Sequence, residues 1–244
     1  MNDTNANAGV EKGIIYVMTT VVPGLIKIGK TGSDNYEQRM SNLERNGYRN
    51  ITGLNRTFAI EVESYSEKET MLHRIFEKSR VEGTELFALD VNLAMELLSS
   101  FDGTVVYPTT ESKQEIFTEA SNTNAGKSIP DGEYHFKTRK KISDNGKTIN
   151  ATVVVKDGVW ILKKDSILGI AEDKGVSTKA KITRASLQID EHGKLLEDFN
   201  LGECSPSHAG TVVVNQPIDG WKNWKDSNGN EIEIYKKKND GDDD

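Results

Sequence analysis

Two apolar runs joined by a short turn constrain the fold of this chain most strongly. Residues 13–19 form a β-branched and aromatic run, and residues 25–29 form a second one. Runs of this kind predict buried strands, and Pro23-Gly24 between them predicts a turn. The pattern therefore predicts an antiparallel β-hairpin that carries Tyr16 in its first strand.

Two more strands, one of them short, and three helices are expected after this hairpin. Residues 57–63 alternate between apolar and polar side chains, which predicts a strand with one solvated face. Ser66 and Glu69 have the spacing of a capping box, so a helix is predicted to begin there and to end near Ser79. Two further helices are predicted from Asp34 to Asn46 and from Val91 to Phe101, and a short strand at Leu86-Phe87.

The length of 244 residues exceeds that of a typical domain, so two domains are expected. The first is predicted at residues 12–103. Residues 104–128 have little apolar periodicity and are predicted to be a linker. Residues 129–238 are predicted to form a mostly β domain, and the polar ends, residues 1–11 and 239–244, to be disordered.

Three segments of the second domain show strand patterns. Residues 151–162 contain two β-branched runs around Asp157-Gly158, which predicts a hairpin. Residues 186–190 and 231–235 alternate at period two, which predicts two more strands.

The net charge of −7 does not exclude a nucleic-acid partner, because the charge is unevenly distributed. Residues 239–244 carry four Asp and no basic residue, whereas residues 129–238 have a net charge of +2. Residues 27–56 have a net charge of +3, through Lys27, Lys30, Arg39, Arg45, Arg49 and Arg56. Phosphate contacts depend on such local clusters, although a solvated face of mixed charge is the commoner origin of such a run.

Several other classes of protein are disfavoured. No apolar run is long enough to span a membrane, and the polar N-terminus is not a secretion signal. Cys204 is the single cysteine, so an internal disulfide is impossible and a zinc site is not expected. A cytoplasmic location is therefore expected.

Each residue that could carry chemistry has an ordinary structural explanation when taken alone. Glu69 closes a capping box, Arg39 is explained as a surface residue with a buried stem, and Tyr16 as a core aromatic. His73 follows Glu69 by four residues and shares its helix face, where a hydrogen-bonded His is commoner than a metal ligand. Gly29-Lys30-Thr31-Gly32 lacks the glycine spacing of a Walker loop, which excludes a nucleotide-triphosphatase on this motif.

As an ordered set, the same residues resemble a known family. Residues 13–17 (GIIYV) and 26–31 (IKIGKT) resemble the paired strand motifs of the GIY-YIG nucleases, and the K-I-G-K-T sequence resembles their phage-associated branch. The remaining motifs follow in the order of that branch: Arg39-Met40 with Leu43, Glu69 with Leu72-His73, Phe76, Arg80-Val81, and Gly83 to Phe87. The resemblance implies an α+β domain with a three-stranded antiparallel sheet flanked by helices.

The resemblance also implies roles for individual residues. Tyr16 would hold or deprotonate the attacking water, Glu69 would bind a single divalent ion (Mg²⁺ or Mn²⁺), and Arg39 would stabilise charge on the scissile phosphate. Tyr16 needs the metal ion or cationic neighbours to become a base at neutral pH, and Lys27 and Lys30 are the expected cationic neighbours. Glu85 and His73 are further candidates for positioning the metal or the substrate.

Two departures from the family pattern bear on activity. Lys27 occupies the position at which the wider family normally has a second Tyr, and Leu86 replaces a usual Trp. The Lys is typical of the phage-associated branch, but it leaves Tyr16 as the only phenol of the paired motifs. The assignment of the base therefore depends on Tyr16 alone.

The second domain resembles an uncharacterised module that often accompanies GIY-YIG and restriction-type proteins. The resemblance lies in a Ser-Pro-Ser helix start at Ser205 and in residues 219–226, where Trp221 and Trp224 alternate with Lys222 and Lys225. This arrangement could stack bases and contact phosphates, whereas core packing is the better explanation for at least one Trp.

The sequence thus predicts a metal-dependent endonuclease that acts on double-stranded DNA, in a phage, prophage, defence or restriction context. Lys30, Arg45 and Arg49 of the first domain and Trp221, Lys222, Trp224 and Lys225 of the second are the expected DNA contacts. One active site per domain implies that a double-strand cut would require a homodimer or sequential nicking. The alternative is a non-catalytic DNA-binding or interaction protein that keeps the GIY-YIG fold.

Overall fold

The computed structural model describes residues 11–138 and 148–236 of the chain. The predictions of disorder at the two termini lie outside these residues, apart from Glu11. The α+β class is confirmed, because the described residues form two antiparallel five-stranded sheets together with seven α-helices. None of these helices is long and apolar enough to cross a membrane.

The chain divides into two compact units, residues 1–118 and 119–244. The sheet of the first unit has the strand order β4-β2-β1-β3-β5, and every neighbouring pair is antiparallel. Its strands are β1 (Lys12–Thr19), β2 (Leu25–Thr31), β3 (Asn55–Glu63), β4 (Leu86–Ala88) and β5 (Thr104–Tyr107). Its helices are α1 (Tyr36–Asn46), α2 (Tyr65–Ile75) and α3 (Val91–Ser99).

The predicted hairpin, the third strand and the three helices are present, but the prediction of a three-stranded sheet is wrong. The short strand predicted at Leu86-Phe87 is confirmed as β4, which extends the sheet beyond β2, and β5 extends it beyond β3. Three or four residues of alternation are too few to show that such a strand belongs to this sheet.

The segment predicted as a linker is structured. It contains β5 and a helix, α4 (Lys113–Gly126). In α4, Ile116 and Ala120 are buried, each with about 1% of its surface exposed. Small and polar residues surround these two, so the helical period is weak in the sequence although the helix packs.

Alternation along β1 supplies both faces of the first sheet with apolar side chains. Ile15 and Val17 belong to the core that includes residues of α2 and α3. Ile14, Tyr16 and Met18 belong to a second core that includes residues of α1. Because both faces are covered, β1 is an almost uniformly buried strand, and Tyr16 points toward the α1 side.

The sheet of the second unit has the strand order β10-β6-β7-β8-β9 and is also antiparallel throughout. Its strands are β6 (Gly132–Thr138), β7 (Ile149–Lys156), β8 (Val159–Leu162), β9 (Phe199–Glu203) and β10 (Trp224–Lys225). Its remaining helices are α5 (Thr178–Ala185), α6 (Pro206–Val214) and α7 (Gly220–Asn223). The predicted hairpin is confirmed as β7 and β8.

The other two predicted strands of this unit are wrong. Ile232–Tyr235 is a 3₁₀ helix, in which Ile232 is buried while Ile234 is 63% exposed. Residues 186–190 follow α5 and contribute only a single bridge from Ile189 to Leu195. Alternation over four or five residues cannot distinguish a strand from a short turn that buries one side chain.

Aromatic packing organises the core of the second unit. Trp224 is fully buried and lies edge-on to Phe136 and Trp160, with ring centroids 5.2 and 5.8 Å apart. Its indole Nε1–H donates to the carbonyl of Pro206 at 3.1 Å. The Ser-Pro-Ser helix start is confirmed, because Ser205 Oγ accepts a hydrogen bond from the His208 N–H at the start of α6.

Candidate functional site

Tyr16 is held inside the first unit with only 1% of its surface exposed. Arg39, on the exposed side of α1, donates from Nε–H to Tyr16 Oη at 3.3 Å. Burial raises the pKa of Tyr16, and the hydrogen bond from Arg39 only partly offsets this effect. The phenol is therefore protonated at neutral pH, with its oxygen directed at a guanidinium.

Gly29 makes room for this phenol. The register of the hairpin pairs Tyr16 with Gly29 and Met18 with Lys27, which places the four residues on one face. A Cβ on Gly29 would lie 2.7 Å from Tyr16 Oη and 3.1 Å from Lys27 Nζ. Only a glycine fits under the Tyr16 side chain here.

Lys27 is completely buried and forms an ion pair with the half-buried Glu85, the residue just before β4. Burial lowers the pKa of Lys27, and the contact with Glu85 counteracts part of this. Burial also raises the pKa of Glu85, but the hydrogen bond and charge of Lys27 outweigh it and leave that pKa below its usual value. The ammonium is thus neutralised by a specific partner inside the unit.

The expectation that Lys27 and Lys30 promote ionisation of Tyr16 is wrong. Lys27 pairs with Glu85, and Lys30 Nζ lies 3.4 Å from Glu69 Oε2. The Lys27 ammonium is 5.7 Å from the centre of the Tyr16 ring, yet the pKa of Tyr16 is raised, chiefly because the phenol is buried. Each lysine is committed to a carboxylate.

Glu69 is buried in α2 and contacts two basic side chains. Its carboxylate lies 3.4 Å from Lys30 Nζ and 3.6 Å from His73 Nε2. The same His73 nitrogen lies 3.3 Å from the carbonyl oxygen of Ile28, and its ring packs against Phe87. His73 is therefore held between β2, β4 and Glu69.

The predicted capping box is absent. Helix α2 begins at Tyr65, one residue before Ser66, and follows Ser64 in a left-handed conformation with φ of 50°. Glu69 consequently lies in the second turn, where its carboxylate reaches Lys30 instead of the helix N-terminus. The one structural explanation offered by the sequence for Glu69 is thereby removed.

The five core site residues come from both faces of the sheet. Tyr16, Lys27 and Arg39 are on the α1 side, whereas Glu69 and His73 belong to α2, whose Leu72 packs on the other side. The charges of Glu85 and Glu69 both contribute to raising the pKa of Tyr16, after the larger effect of burial. The carboxylates are thus within electrostatic range of the phenol, although α1 and α2 cover opposite faces of the sheet.

The described residues contain no cluster of three or more His, Cys, Asp or Glu side chains that could hold a metal ion. Glu69 is a single buried carboxylate, with His73 as its nearest possible co-ligand. Any ion at this position would depend on Glu69 together with water and substrate oxygens.

The remaining residues predicted to contact DNA are either exposed or buried. Arg45 and Arg49 are exposed on the first unit, and Lys222 and Lys225 are exposed on the second, so all four can reach a ligand. Trp221 and Trp224 are buried, with 3% and 0% of their surfaces exposed. The prediction that these indoles stack on bases is wrong, because both are part of the core.

Sequence reasoning missed Tyr48 and gave Glu85 a minor place. The Tyr48 ring covers the Lys27 ammonium at 4.2 Å, and its hydroxyl oxygen accepts a hydrogen bond from the Glu85 N–H. The sequence signal that could have revealed Tyr48 is Gly47-Tyr48-Arg49-Asn50. It is a turn sequence directly after a helix, and the turn carries one aromatic and one basic side chain.

Comparison with known protein families gives a match, which contains this site. Residues 13–102 match the family model of the T5orf172 domain, a phage-associated domain related to nucleases. The match covers somewhat more than a third of the chain and includes Tyr16, Lys27, Lys30, Arg39, Glu69, His73 and Glu85. No curated protein and no solved structure matches the chain. A nuclease-like domain of this kind implies interaction with DNA.

Replacing Gly29 with Ala should disturb the site directly. The new methyl group would overlap Tyr16 Oη, so the phenol must shift and its hydrogen bond to Arg39 should weaken. We expect the free energy of unfolding in urea to fall by about 1–3 kcal/mol, and the Arg39 Nε–H NMR signal to exchange faster with water. Gly32→Ala is the matched control, since its Cβ would meet only Asn35 Nδ2 at 3.8 Å. Equal stability and exchange in the two variants would contradict the close approach.

Proposed function

We propose that residues 13–102 form a GIY-YIG-type endonuclease that hydrolyses phosphodiester bonds in DNA. The observation that carries this proposal is the hydrogen bond from Arg39 to the buried Tyr16 phenol. The phenol and the guanidinium supply a water-binding group and a phosphate-binding group, and the buried carboxylate of Glu69, on α2 at the other face of the sheet, supplies a cation ligand. The match to a nuclease-related domain supports the same assignment.

Arg39 is suited to the scissile phosphate. Its Nε–H is used by Tyr16, and its guanidinium lies on the exposed side of α1. A guanidinium presents further N–H donors in a planar fork that matches phosphate oxygens. Arg39 would therefore stabilise negative charge that develops as water attacks phosphorus and the P–O ester bond breaks.

Tyr16 is suited to positioning the attacking water. Its raised pKa leaves phenolate at less than about one part in a thousand at pH 7. The neutral hydroxyl can still hold a water oxygen through a hydrogen bond, and Arg39 orients it. Proton removal by Tyr16 would require additional positive charge at the site.

Glu69 would hold a single Mg²⁺ or Mn²⁺ ion. Mg²⁺ is commonly bound by one or two carboxylates together with water and substrate phosphates, and one buried carboxylate fits this donor set. The ion, when bound, would supply positive charge to the phosphate and to the leaving oxygen. Glu69 must then exchange its contact with Lys30, which would be released toward the DNA backbone.

An open groove on the α2 side of the first unit could receive a DNA backbone, although Tyr16, Arg39 and Glu69 do not line it. It has a volume of about 690 Å³ and runs along the outer side of α2 next to Lys30. Its lining is Lys30, Ser66, Glu67, Thr70, Met71, Arg74 and Ile75. Lys30 and Arg74 offer two cations against the single carboxylate of Glu67, so the groove is suited to a phosphate backbone.

The second unit is proposed to help bind or select DNA through phosphate contacts. Lys222 and Lys225 remain exposed beside the buried Trp221 and Trp224. The indoles thereby fix the turn that presents the lysines, and base stacking is not part of the proposal.

A non-catalytic DNA-binding protein is the second candidate, and one specific observation favours it. Two of the three cations assigned to the site already have a carboxylate partner: Lys27 contacts Glu85, and Lys30 contacts Glu69. A site that is internally neutralised could bind a phosphate through Arg39 without activating water. Cleavage measurements distinguish the two candidates.

Substitution of the three central residues should abolish cleavage of supercoiled plasmid DNA in Mg²⁺ or Mn²⁺. We expect Tyr16→Phe, Arg39→Ala and Glu69→Ala each to reduce the rate by about 100-fold or more, the usual loss when one transition-state contact is removed. Glu77→Ala, an exposed carboxylate just after α2, is the matched control and should cleave normally. Equal nicking by the wild type, the three site variants and the control would contradict the catalytic assignment.

If Tyr16 removes the proton from the attacking water, the pH dependence of cleavage should report its raised pKa. Phenolate increases about tenfold per pH unit below its pKa, so a reaction that uses it as base should accelerate from pH 7 to pH 9 without a plateau. The measurement compares single-turnover rates of the wild type and Tyr16→Phe. If the residual rate of Tyr16→Phe rises with pH as steeply as the wild-type rate, hydroxide and not the Tyr16 phenolate accounts for the pH dependence.

Loss of the exposed lysines in the second unit should weaken DNA binding without sequence preference. We expect Lys222→Ala/Lys225→Ala to lower the slope of log affinity against log salt by about 2 for a duplex oligonucleotide, one unit per phosphate contact. Lys163→Ala is the control, because Lys163 is paired with Asp198. If fluorescence anisotropy shows the same salt dependence of DNA affinity in this variant and the wild type, the proposed DNA contacts of the second unit are contradicted.

A further inference from the structure

A turn that follows α1 covers the buried ion pair of the site. The centre of the Tyr48 ring lies 4.2 Å from Lys27 Nζ, which is the geometry of a cation–π contact. Tyr48 Oη accepts a hydrogen bond from the Glu85 N–H at 3.2 Å. Tyr48 therefore contacts both residues of the pair, although it lies in the turn after α1 and not in a strand of the sheet.

The backbone of this turn is conformationally unusual. Tyr48 and Ile51 exchange two backbone hydrogen bonds of 2.8 and 2.9 Å, and the residues between them, Arg49 and Asn50, have φ of 46° and 67°. Two left-handed residues define a type I′ turn. An Arg in this conformation is disfavoured by roughly 1–2 kcal/mol, and strain of this kind is concentrated at binding and catalytic sites.

Gly47 allows the chain after α1 to turn back closely on itself. It has φ of 71°, and a Cβ at this position would lie 2.1 Å from the carbonyl oxygen of Ile51. The chain can fold back this closely only over a glycine. The position of Tyr48 is thus fixed by the fold before any ligand arrives.

The Tyr48 hydroxyl is left with a proton to donate. Its oxygen accepts from Glu85, and its O–H group donates no hydrogen bond within the described part of the chain. The residue is half-buried and so remains accessible to a ligand. An anionic ligand is favoured by the exposed guanidinium of Arg49, which lies 5.9 Å from the ring centre, whereas the Lys27 ammonium under the ring is already paired with Glu85.

Electrostatics connect Tyr48 to Arg39. Tyr16 is the main cause of the raised pKa of Arg39, and Tyr48 makes a smaller contribution in the same direction. Contacts connect the two residues as well, because Lys27 Nζ lies 4.2 Å from the Tyr48 ring centre and 5.7 Å from the Tyr16 ring centre, and Tyr16 Oη accepts a hydrogen bond from Arg39.

We propose that Tyr48 is a further substrate-contacting residue, whose hydroxyl donates a hydrogen bond to a non-bridging phosphate oxygen of the DNA backbone next to Arg39. The identity of the anion rests on the proposed function. The contact itself rests on the position of the hydroxyl and on the left-handed turn that fixes it.

The contact can be tested by ¹⁹F NMR on the full-length protein labelled with 3-fluorotyrosine. The chain has seven Tyr residues, and loss of one signal in Tyr48→Phe assigns residue 48. A duplex oligonucleotide is added in EDTA, so that binding is observed without cleavage. We expect the Tyr48 signal to shift with saturation, whereas the signal of Tyr65, whose ring packs over Gly13, should stay in place.

A second measurement is the single-turnover cleavage rate. Tyr48→Phe keeps the ring over Lys27 and removes the donor, so we expect about a tenfold loss, the usual effect of one hydrogen bond to a charged group. Tyr65→Phe removes a hydroxyl of the same kind and should cleave at the wild-type rate. Urea unfolding of Tyr48→Phe shows whether the fold is retained.

The outcomes separate this inference from the proposed function. If DNA binds but the Tyr48 signal does not move, the inference is overturned even where cleavage is normal. If the Tyr48 signal shifts and the wild type does not cleave, the contact stands and the hydrolytic function fails. If no duplex binds at all, both fail.

Discussion

The pairing of β1 with β2 determines the chemistry of the first unit. In this register, Tyr16 lies opposite Gly29 and Met18 opposite Lys27. The absence of a side chain at Gly29 gives the phenol space to lie across the neighbouring strand, where Arg39 reaches it from α1. Every other contact of the site is arranged around that one cross-strand approach.

A buried ammonium is the second constraint. Transfer of a lone charge from water into a protein interior is costly unless a partner is close. Glu85 supplies that partner, and Tyr48 covers the ammonium with its ring. The demand for neutralisation explains why β4 and the turn after α1, which are distant in sequence, meet at the end of β2.

The sequence predicted the elements whose periodicity is long and the residues that form an ordered motif. The hairpin, α1, α2 and the association of Tyr16 with Arg39 belong to this group. It did not predict β5 or α4, because a four-residue edge strand and a helix with few apolar residues have weak patterns. It offered Trp221 and Trp224 as DNA contacts because lysines alternate with them, while favouring core packing for at least one. Burial of both could not be predicted, since it depends on long-range packing against residues such as Phe136 and Trp160. The pairing of Lys27 with Glu85 was equally inaccessible, since 58 positions separate the two residues and only the folded sheet edge joins them.

The β1–β2 register also limits how such a domain can change in length during evolution. Strand side chains alternate, so an insertion of one residue within β2 would move Gly29 away from Tyr16 and turn the Lys27 ammonium toward the apolar layer beneath α2. The connection at residues 20–24 is largely exposed and lies at the far end of the hairpin from Lys12. Insertions and deletions in related chains should therefore accumulate in that connection, whereas the spacing from Lys27 to Gly29 should stay constant.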